Sequence, residues 1–382
     1  MAESPTAGET RPRAAKEEAR GVPQEHRPEL VLDGSAATSA VGLSPELEDQ
    51  RAIAADRKRP LEQRLEAFED IFDSEVGDTS LMRARNLERD SGLRQLYLKF
   101  DGGNPTGTQK DRIAFAQVQD ALRRGFDTVT VATCGNYGTA VALATSIAGL
   151  KCEVHVPESF RTRRIAEMES LGARIVRTPG DYEEAVHISQ EQAAIRELYD
   201  ANPGGANTSL QLQAYGEIAF EIYDELRDAP SVVAVPVSNG TTLAGIYKGF
   251  VRLYRRGKTS RVPRMVAGSS SNKNPIVRSF LKKLERCEDL DPAKVRETAV
   301  NEPLINWHSF DGDVALEALR ESGGWGANSS DRNMLRYSRL LLEREGLNAL
   351  PASCSSLAVL LERHAREPLQ PERFVTVLTG RR

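Results

Sequence analysis

Short apolar runs and longer helical patterns alternate along most of this chain. Leu96–Phe100, Thr128–Ala132, Cys152–Val156, Ala173–Arg177, Ser231–Val237, Arg264–Gly268 and Phe374–Leu378 are rich in β-branched or alternating apolar residues and predict strands. Ser231–Val237 is almost wholly apolar, as expected of a strand covered on both faces. Helical spacing follows several of these runs: after Ile113, near Thr162–Leu171, from about Tyr182 to Asp200, and after the turn beyond Val237. A strand-then-helix rhythm predicts an α/β fold with parallel sheets flanked by helices. Upstream, Leu61, Leu65, Phe68, Ile71 and Phe72 fall on one helical face, and Ser44 before Pro45, Glu46 and Glu48 predicts a capped helix start.

Residues 1–43 are different. They are rich in Pro, Gly, Ala, Ser and charge, have little apolar periodicity, and predict a disordered N-terminal extension. The remainder of the 382 residues, at 40% hydrophobic composition for the whole chain, suffices for two packed domains. A net charge of −4 argues against a nucleic-acid footprint. No apolar run is long enough to span a membrane. The first residues lack the apolar core of a secretory signal, and Glu3, Glu9, Glu17 and Glu18 among the early arginines argue against a transit peptide. Cys134, Cys152, Cys287 and Cys354 form no C-x-x-C pair and read as reduced thiols of a cytoplasmic protein. The five histidines (His26, His155, His187, His308, His364) have no metal-ligand spacing, and His155 reads as packed within its strand. The charged stretch Lys282–Asp291 reads as a solvated helix face.

The chemistry concentrates in three strand-to-helix turns. The first, Asn104-Pro105-Thr106-Gly107-Thr108-Gln109-Lys110-Asp111-Arg112, holds one lysine between a strand end and a helix start. A desolvated lysine there can lose its proton and attack a carbonyl; the plain alternative is a loop cap or an ion pair with Asp111. The second turn is Thr133-Cys134-Gly135-Asn136-Tyr137-Gly138-Thr139-Ala140. The third, Ser238-Asn239-Gly240-Thr241-Thr242, combines glycine, hydroxyls and a helix N-terminus, as a phosphate cradle requires. Neither a P-loop nor a G-x-G-x-x-G is present. In open α/β sheets all three turns would gather at the C-terminal strand ends, where ligands collect.

These motifs resemble those of fold type II pyridoxal-phosphate enzymes, the tryptophan synthase β-like group, and most of all the threonine synthase family. Residues 104–112 resemble the lysine motif, Cys134–Gly138 the asparagine loop, Ser238–Thr242 the phosphate cup and Leu378-Thr379-Gly380 the C-terminal strand end. Gly77-Asp78-Thr79-Ser80-Leu81 resembles the start of the catalytic region, and the likeness runs over roughly residues 75–382. Gln213–Ile222, Pro303-Leu304-Ile305-Asn306-Trp307 and Pro351-Ala352-Ser353 favour threonine synthase among its cousins. The chain also departs from the family pattern. Gln109 replaces an aromatic residue, Leu350 a glutamate, and Arg163-Arg164-Ile165-Ala166-Glu167 stands where a Gly-Lys-x-x-Gln element handles substrate phosphate.

The resemblance implies pyridoxal 5′-phosphate as cofactor, held covalently by Lys110, which then shuttles protons. It implies that Asn136 bonds the cofactor's ring hydroxyl, that Ser238, Asn239, Gly240, Thr241 and Thr242 hold its phosphate, and that Thr379 faces the pyridine nitrogen. Thr133, Cys134 and Thr139 would contact the substrate carboxylate, with Cys134 also readable as a small filler. Arg164, with Arg161 and Arg163, is the candidate for an anionic substrate group; a surface run is the alternative. The implied reaction converts O-phosphohomoserine and water to threonine and phosphate by γ-elimination and β-addition. The alternative is β-replacement or dehydration on serine-type substrates, as in cysteine, cysteate or diaminopropionate formation. A homodimer is expected, with a larger cofactor-binding domain at 44–114 and 206–382 and a smaller domain at 115–205.

Overall fold

The computed structural model describes residues 44–133, 135–160, 162 and 164–382. The extension 1–43, Cys134, Arg161 and Arg163 lie outside them.

Ten strands form two sheets among the described residues. In chain order they are β1 (Leu81–Arg83), β2 (Leu96–Phe100), β3 (Thr128–Ala132), β4 (Lys151–Pro157), β5 (Arg174–Thr178), β6 (Tyr199–Asp200), β7 (Val232–Pro236), β8 (Arg264–Ser270), β9 (Trp325–Ser329) and β10 (Phe374–Leu378). One sheet has the order β1-β2-β10-β7-β8-β9 and the other β5-β4-β3-β6. Every pairing is parallel except β1 with β2. In the centre of the larger sheet β10 lies between β2 and β7, with Val375 opposite both Tyr97 and Val233. All five residues of β7 are buried, so its unbroken apolar sequence matches a strand covered on both faces.

Helices supply that cover. Ile218 and Ile222 of Thr208–Leu226 and Ile246 and Phe250 of Thr241–Arg255 share one core with the small-sheet residues Val129, Val131 and Val154. The opposite face of the large sheet packs Val232, Ala234 and Val266 against Leu357, Ala358 and Leu361 of the Ser355–Arg366 helix. The two sheets therefore share one apolar region, which fixes the strand ends facing the gap between them.

Four local expectations need correction. Ser44 makes no side-chain cap: its N–H donates to Glu75 Oε1 (3.2 Å), and a 3₁₀ turn, Pro45–Leu47, precedes the Glu48–Ala55 helix. The helix predicted to reach Asp200 stops at Arg196, where Glu197 adopts φ 54°; this frees Tyr199–Asp200 to pair with β3. The described helix after β4 spans Arg164–Ser170, shorter than the predicted 162–171. Lys282–Asp291 is no helix face, because the Pro275–Leu281 helix ends before it and Lys283 takes φ 58°. His155 is buried in β4 as expected.

No helix among the described residues is long and apolar enough to cross a membrane.

Candidate active site

A cavity of about 380 Å³ opens where the three turns meet, and Lys110, Asn136 and the 238–242 turn all line it. Each turn is built differently.

The lysine turn is fixed from behind. Gly107 takes φ +86°, a left-handed conformation that glycine reaches without strain. Its carbonyl accepts Arg381 N–H (2.9 Å), and the Arg381 guanidinium donates to Gly102 O (3.0 Å) and Pro105 O (3.2 Å). Gln109 N–H donates to Thr379 O (2.9 Å), tying the turn to the end of β10. Asp111 is occupied by Thr106, whose N–H and hydroxyl both donate to its carboxylate at 2.8 Å. The plain pairing of Lys110 with Asp111 is therefore not made. Lys110 starts the helix Lys110–Arg123, and its Nζ lies 5.4 Å from the ring centroid of Tyr137 and 6.0 Å from that of Tyr215. Burial lowers the amine to about 8, against the opposing charge of Asp311. An amine so poised is neutral in a useful fraction near neutral pH, which both nucleophilic attack and proton transfer require.

The second turn starts the helix Asn136–Ala148. Thr133 Oγ1 accepts the N–H groups of Gly135 (3.0 Å) and Gly138 (3.3 Å), folding the turn tightly. Thr133 and Asn136 line the cavity. Thr139 does not: it is fully buried, and its hydroxyl points back to Gly135 O (3.4 Å). Nor does Arg164 reach the wall. Its guanidinium donates to both carboxylate oxygens of Glu167 (2.8 and 3.0 Å) and to Thr106 O (3.3 Å).

The third turn follows β7. Gly240, at φ +94°, caps the Thr241–Arg255 helix, and the backbone N–H groups at the start of that helix have no acceptor in the described residues. Thr241 Oγ1 donates to the buried Asp311 (2.5 Å), whose pKa burial raises while Thr241 and Lys110 oppose the shift. Asn239 is a hub: its Oδ1 accepts Asn306 Nδ2 (3.0 Å) and Phe310 N–H (3.4 Å), and its amide donates to Tyr182 (3.3 Å). At the end of β10, Thr379 lines the cavity and shares a hydrogen bond with Ser353 (3.0 Å).

Several functional features escaped the sequence pattern. Tyr137 and Tyr215 flank the lysine, Asp311 sits beside it, and Trp307 bridges the cavity. The Trp307 indole N–H donates to Asp181 Oδ2 (2.8 Å) and its backbone N–H to Glu183 Oε1 (2.8 Å), joining the large-sheet side to the Tyr182–Arg196 helix. Only the aromatic residues at 137, 215 and 307, inside stretches already singled out, offered any signal.

This donor set fits an aldehyde cofactor with a phosphate arm. A helix N-terminus with unpaired N–H groups suits the phosphate, and an amine without a salt bridge among the described residues suits the aldehyde. Asn136 and the Thr379 hydroxyl supply polar groups for a ring. Among the described residues no cluster of three or more His, Cys, Asp or Glu is placed to hold a metal ion.

Comparison with known proteins agrees. Residues 72–380 match the family described as pyridoxal-phosphate dependent enzyme. A threonine synthase of Methanocaldococcus jannaschii is 32% identical over 309 residues, covering 80% of this chain and 74% of the relative. One from Mycobacterium tuberculosis is 30% identical over 295 residues, 75% of this chain and 76% of the relative. Among solved structures, a threonine deaminase of T.th. superposes with a TM-score of 0.68 at 21% identity, covering 84% of this chain and 98% of that one. Maize serine racemase gives 0.67 at 14% identity, covering 83% and 92%; both share the fold. The chain therefore belongs to the pyridoxal-phosphate dependent enzyme family, with pyridoxal phosphate as cofactor.

Proposed function

We propose that this protein is a lyase of the threonine synthase type, acting on an amino acid that carries a leaving group on its side chain. The observation that carries this reading is Lys110: an amine lowered to about 8, facing a cavity walled by an anion cradle. The bound cofactor would supply an electron sink that makes the hydrogen on the substrate's amine-bearing carbon acidic.

The chain's own residues do the rest. Lys110 Nζ would hold the cofactor's aldehyde carbon in the resting protein and, once the substrate's amine has displaced it there, the freed amine would take the proton from substrate Cα and move protons at the neighbouring carbons. Gly240, Thr241 and Thr242 present N–H groups to the phosphate, with Ser238 and Asn239 shaping the turn. Thr241's hydroxyl is committed to Asp311, so its contribution comes through the backbone. Asn136 bonds the ring hydroxyl oxygen. Thr379 would face the ring nitrogen, where a neutral hydroxyl would not keep that nitrogen protonated and would moderate the electron sink. Thr133 and the turn at Cys134 receive the substrate carboxylate. Thr139 supports that turn from inside the helix. We assign the smaller domain to 115–205 and the larger to 44–114 and 206–382, and place the protein in the cytoplasm as a homodimer.

For the substrate, similarity to threonine synthases favours O-phosphohomoserine, with phosphate lost from the γ-carbon and water added at the β-carbon. Arg164 then serves the leaving phosphate only after releasing Glu167. A second reading, β-replacement or dehydration on a serine-type substrate, is favoured by that pairing, because Lys110 is the only basic side chain on the described cavity wall. Incubation with O-phosphohomoserine, O-phosphoserine and threonine separates them. Threonine and phosphate formed from the first compound support the first reading; turnover of the others alone supports the second, and turnover of none, by a protein carrying its cofactor, overturns both.

A further inference from the structure

One wall of the cavity carries two carboxylates to which the proposed chemistry gives no task. Glu297 and Glu302 both line it, on the segment between the Pro292–Lys294 turn and Trp307. Neither side chain has a hydrogen bond or ion pair with a described residue. The other two acids on the wall differ: Asp181 and Glu183 are engaged by Trp307.

The backbone presenting the pair is held firmly. Glu302 N–H donates to Thr298 O (3.1 Å), and Thr298 is fixed by Asn301 (2.9 Å) and by Asp331 (2.7 Å). On the other side Leu304 O accepts Ser269 Oγ (3.3 Å) and Asn274 Nδ2 (3.4 Å), and the Leu304 side chain packs with Met334 and Ala352. Burial raises the Glu302 carboxyl to about 7, and the nearby Glu297 charge pushes the same way. Glu302, partly buried and without a cation partner, is costly to ionise until a cation arrives, and the exposed Glu297 adds a second negative charge beside it. A second phosphate entering beside them would meet repulsion, and Arg164 is already paired.

We propose that Glu302 and Glu297 select a ligand bearing an ammonium group, on the amino-acid substrate's own side chain or on an accompanying amine, over a phosphorylated one. The proposal rests on the cavity being the cofactor site, and it names the substrate class within the second of the two substrate readings.

The test is calorimetric binding to the full-length holoprotein at pH 8, above the Glu302 carboxyl's value of about 7. One arm compares L-2,4-diaminobutyrate with L-2-aminobutyrate. The other compares propylammonium with 1-propanol in the presence of L-2-aminobutyrate, which separates the two sources of the charge. In at least one arm the cation binds tighter by about tenfold or more. The double substitution Glu297→Gln/Glu302→Gln abolishes that preference and leaves L-2-aminobutyrate affinity within about twofold. No cation preference in either arm, a preference that survives the double substitution, or tighter binding of O-phosphohomoserine than of L-2,4-diaminobutyrate overturns the proposal. Borohydride fixation of the cofactor is run first. A protein with no group fixed at Lys110 refutes the cofactor site and this proposal together. A fixed group without charge selection refutes this proposal alone.

Discussion

Arg112 grips Glu221 with both arms of its guanidinium, Nη1 to Oε1 at 2.5 Å and Nη2 to Oε2 at 2.9 Å. Its other edge holds Asp101, Nε to Oδ2 at 2.8 Å and Nη2 to Oδ1 at 3.0 Å. The buried Lys99 adds a second ion pair to Glu221. Burial pushes the Glu221 carboxyl up, but Arg112 and Lys99 outweigh it and hold the group at about 2. Arg112 stands two residues beyond Lys110, so this network anchors the first turn of the helix that carries the reactive amine.

Glu221→Gln would leave the buried Lys99 with no carboxylate partner among the described residues and Arg112 with Asp101 alone. Removing one partner of a buried ionic network costs about 3 kcal/mol. Urea unfolding of the holoprotein is expected to show that loss of stability at neutral pH. A change below about 0.5 kcal/mol, the range of ordinary surface substitutions, would mean that the network is not what fixes this helix.

Lys110 sets the pH behaviour of cofactor capture. The amine must be neutral to attack an aldehyde, and burial lowers its pKa to about 8. When the apoprotein is mixed with pyridoxal phosphate, the capture rate should rise with pH through 8 and level off near pH 9. An ordinary lysine would still be gaining rate toward about pH 10.4. Lys110→Ala should leave no cofactor fixed by borohydride and no turnover, with the circular dichroism spectrum unchanged. A rate that climbs steadily to pH 10 would show that the amine is not desolvated as the structure has it.

Gly240 caps the helix whose start is the proposed phosphate cradle. Its φ of +94° disfavours any L side chain, and an added Cβ would lie 2.6 Å from Ala315 Cβ and 2.8 Å from Ile276 Cδ1. Both neighbours belong to packed helices. Gly240→Ala must therefore shift the turn, at a cost of roughly 2 kcal/mol from overpacking and strain. The expected outcome is weaker retention of pyridoxal phosphate during dialysis, together with a lower Tm. Unchanged retention would argue that the phosphate lies elsewhere.

The larger frame was readable because its strands advertise themselves. β2, β7 and β10 are apolar enough to be found alone, and glycine marks the turns after β2, β3 and β7. β1, β6 and β9 were not legible. β1 and β6 have three and two residues, and β9 reads Trp-Gly-Ala-Asn-Ser; each exists because a neighbour offers a free edge. The end of the Tyr182–Arg196 helix turned on Glu197 entering left-handed geometry, a conformation that glutamate composition does not announce. At the site the three turns could be found by their residues. The ties that hold them could not, because Arg381 to Pro105 and Trp307 to Asp181 join positions far apart in sequence. The pairing of Arg164 with Glu167 lies three residues apart, and a helical reading of that stretch could have anticipated it.

Glu153 links the small sheet to the helix that reaches the cavity. It accepts Arg196 Nη1 (2.6 Å) and Nη2 (2.8 Å), and Arg174 Nη2 from β5 (2.8 Å). The Arg196 hydrogen bond, followed by Arg174, holds its carboxyl at about 2 despite partial burial. A carboxyl whose folded pKa lies below its unfolded value, about 4.3, stabilises the protein fully above that unfolded value. The contribution is lost as pH falls from there through 2, because the unfolded chain takes up the proton first. Both arginines are substantially exposed, so screening keeps the effect modest. Glu153→Gln should lower Tm by about 2 °C at pH 7, and the two proteins should converge as the medium approaches pH 2. Cooperative unfolding of both, followed by far-ultraviolet circular dichroism across that range, checks it. A gap that stays constant down to pH 2 would mean that the side chain acts through packing and not through its charge.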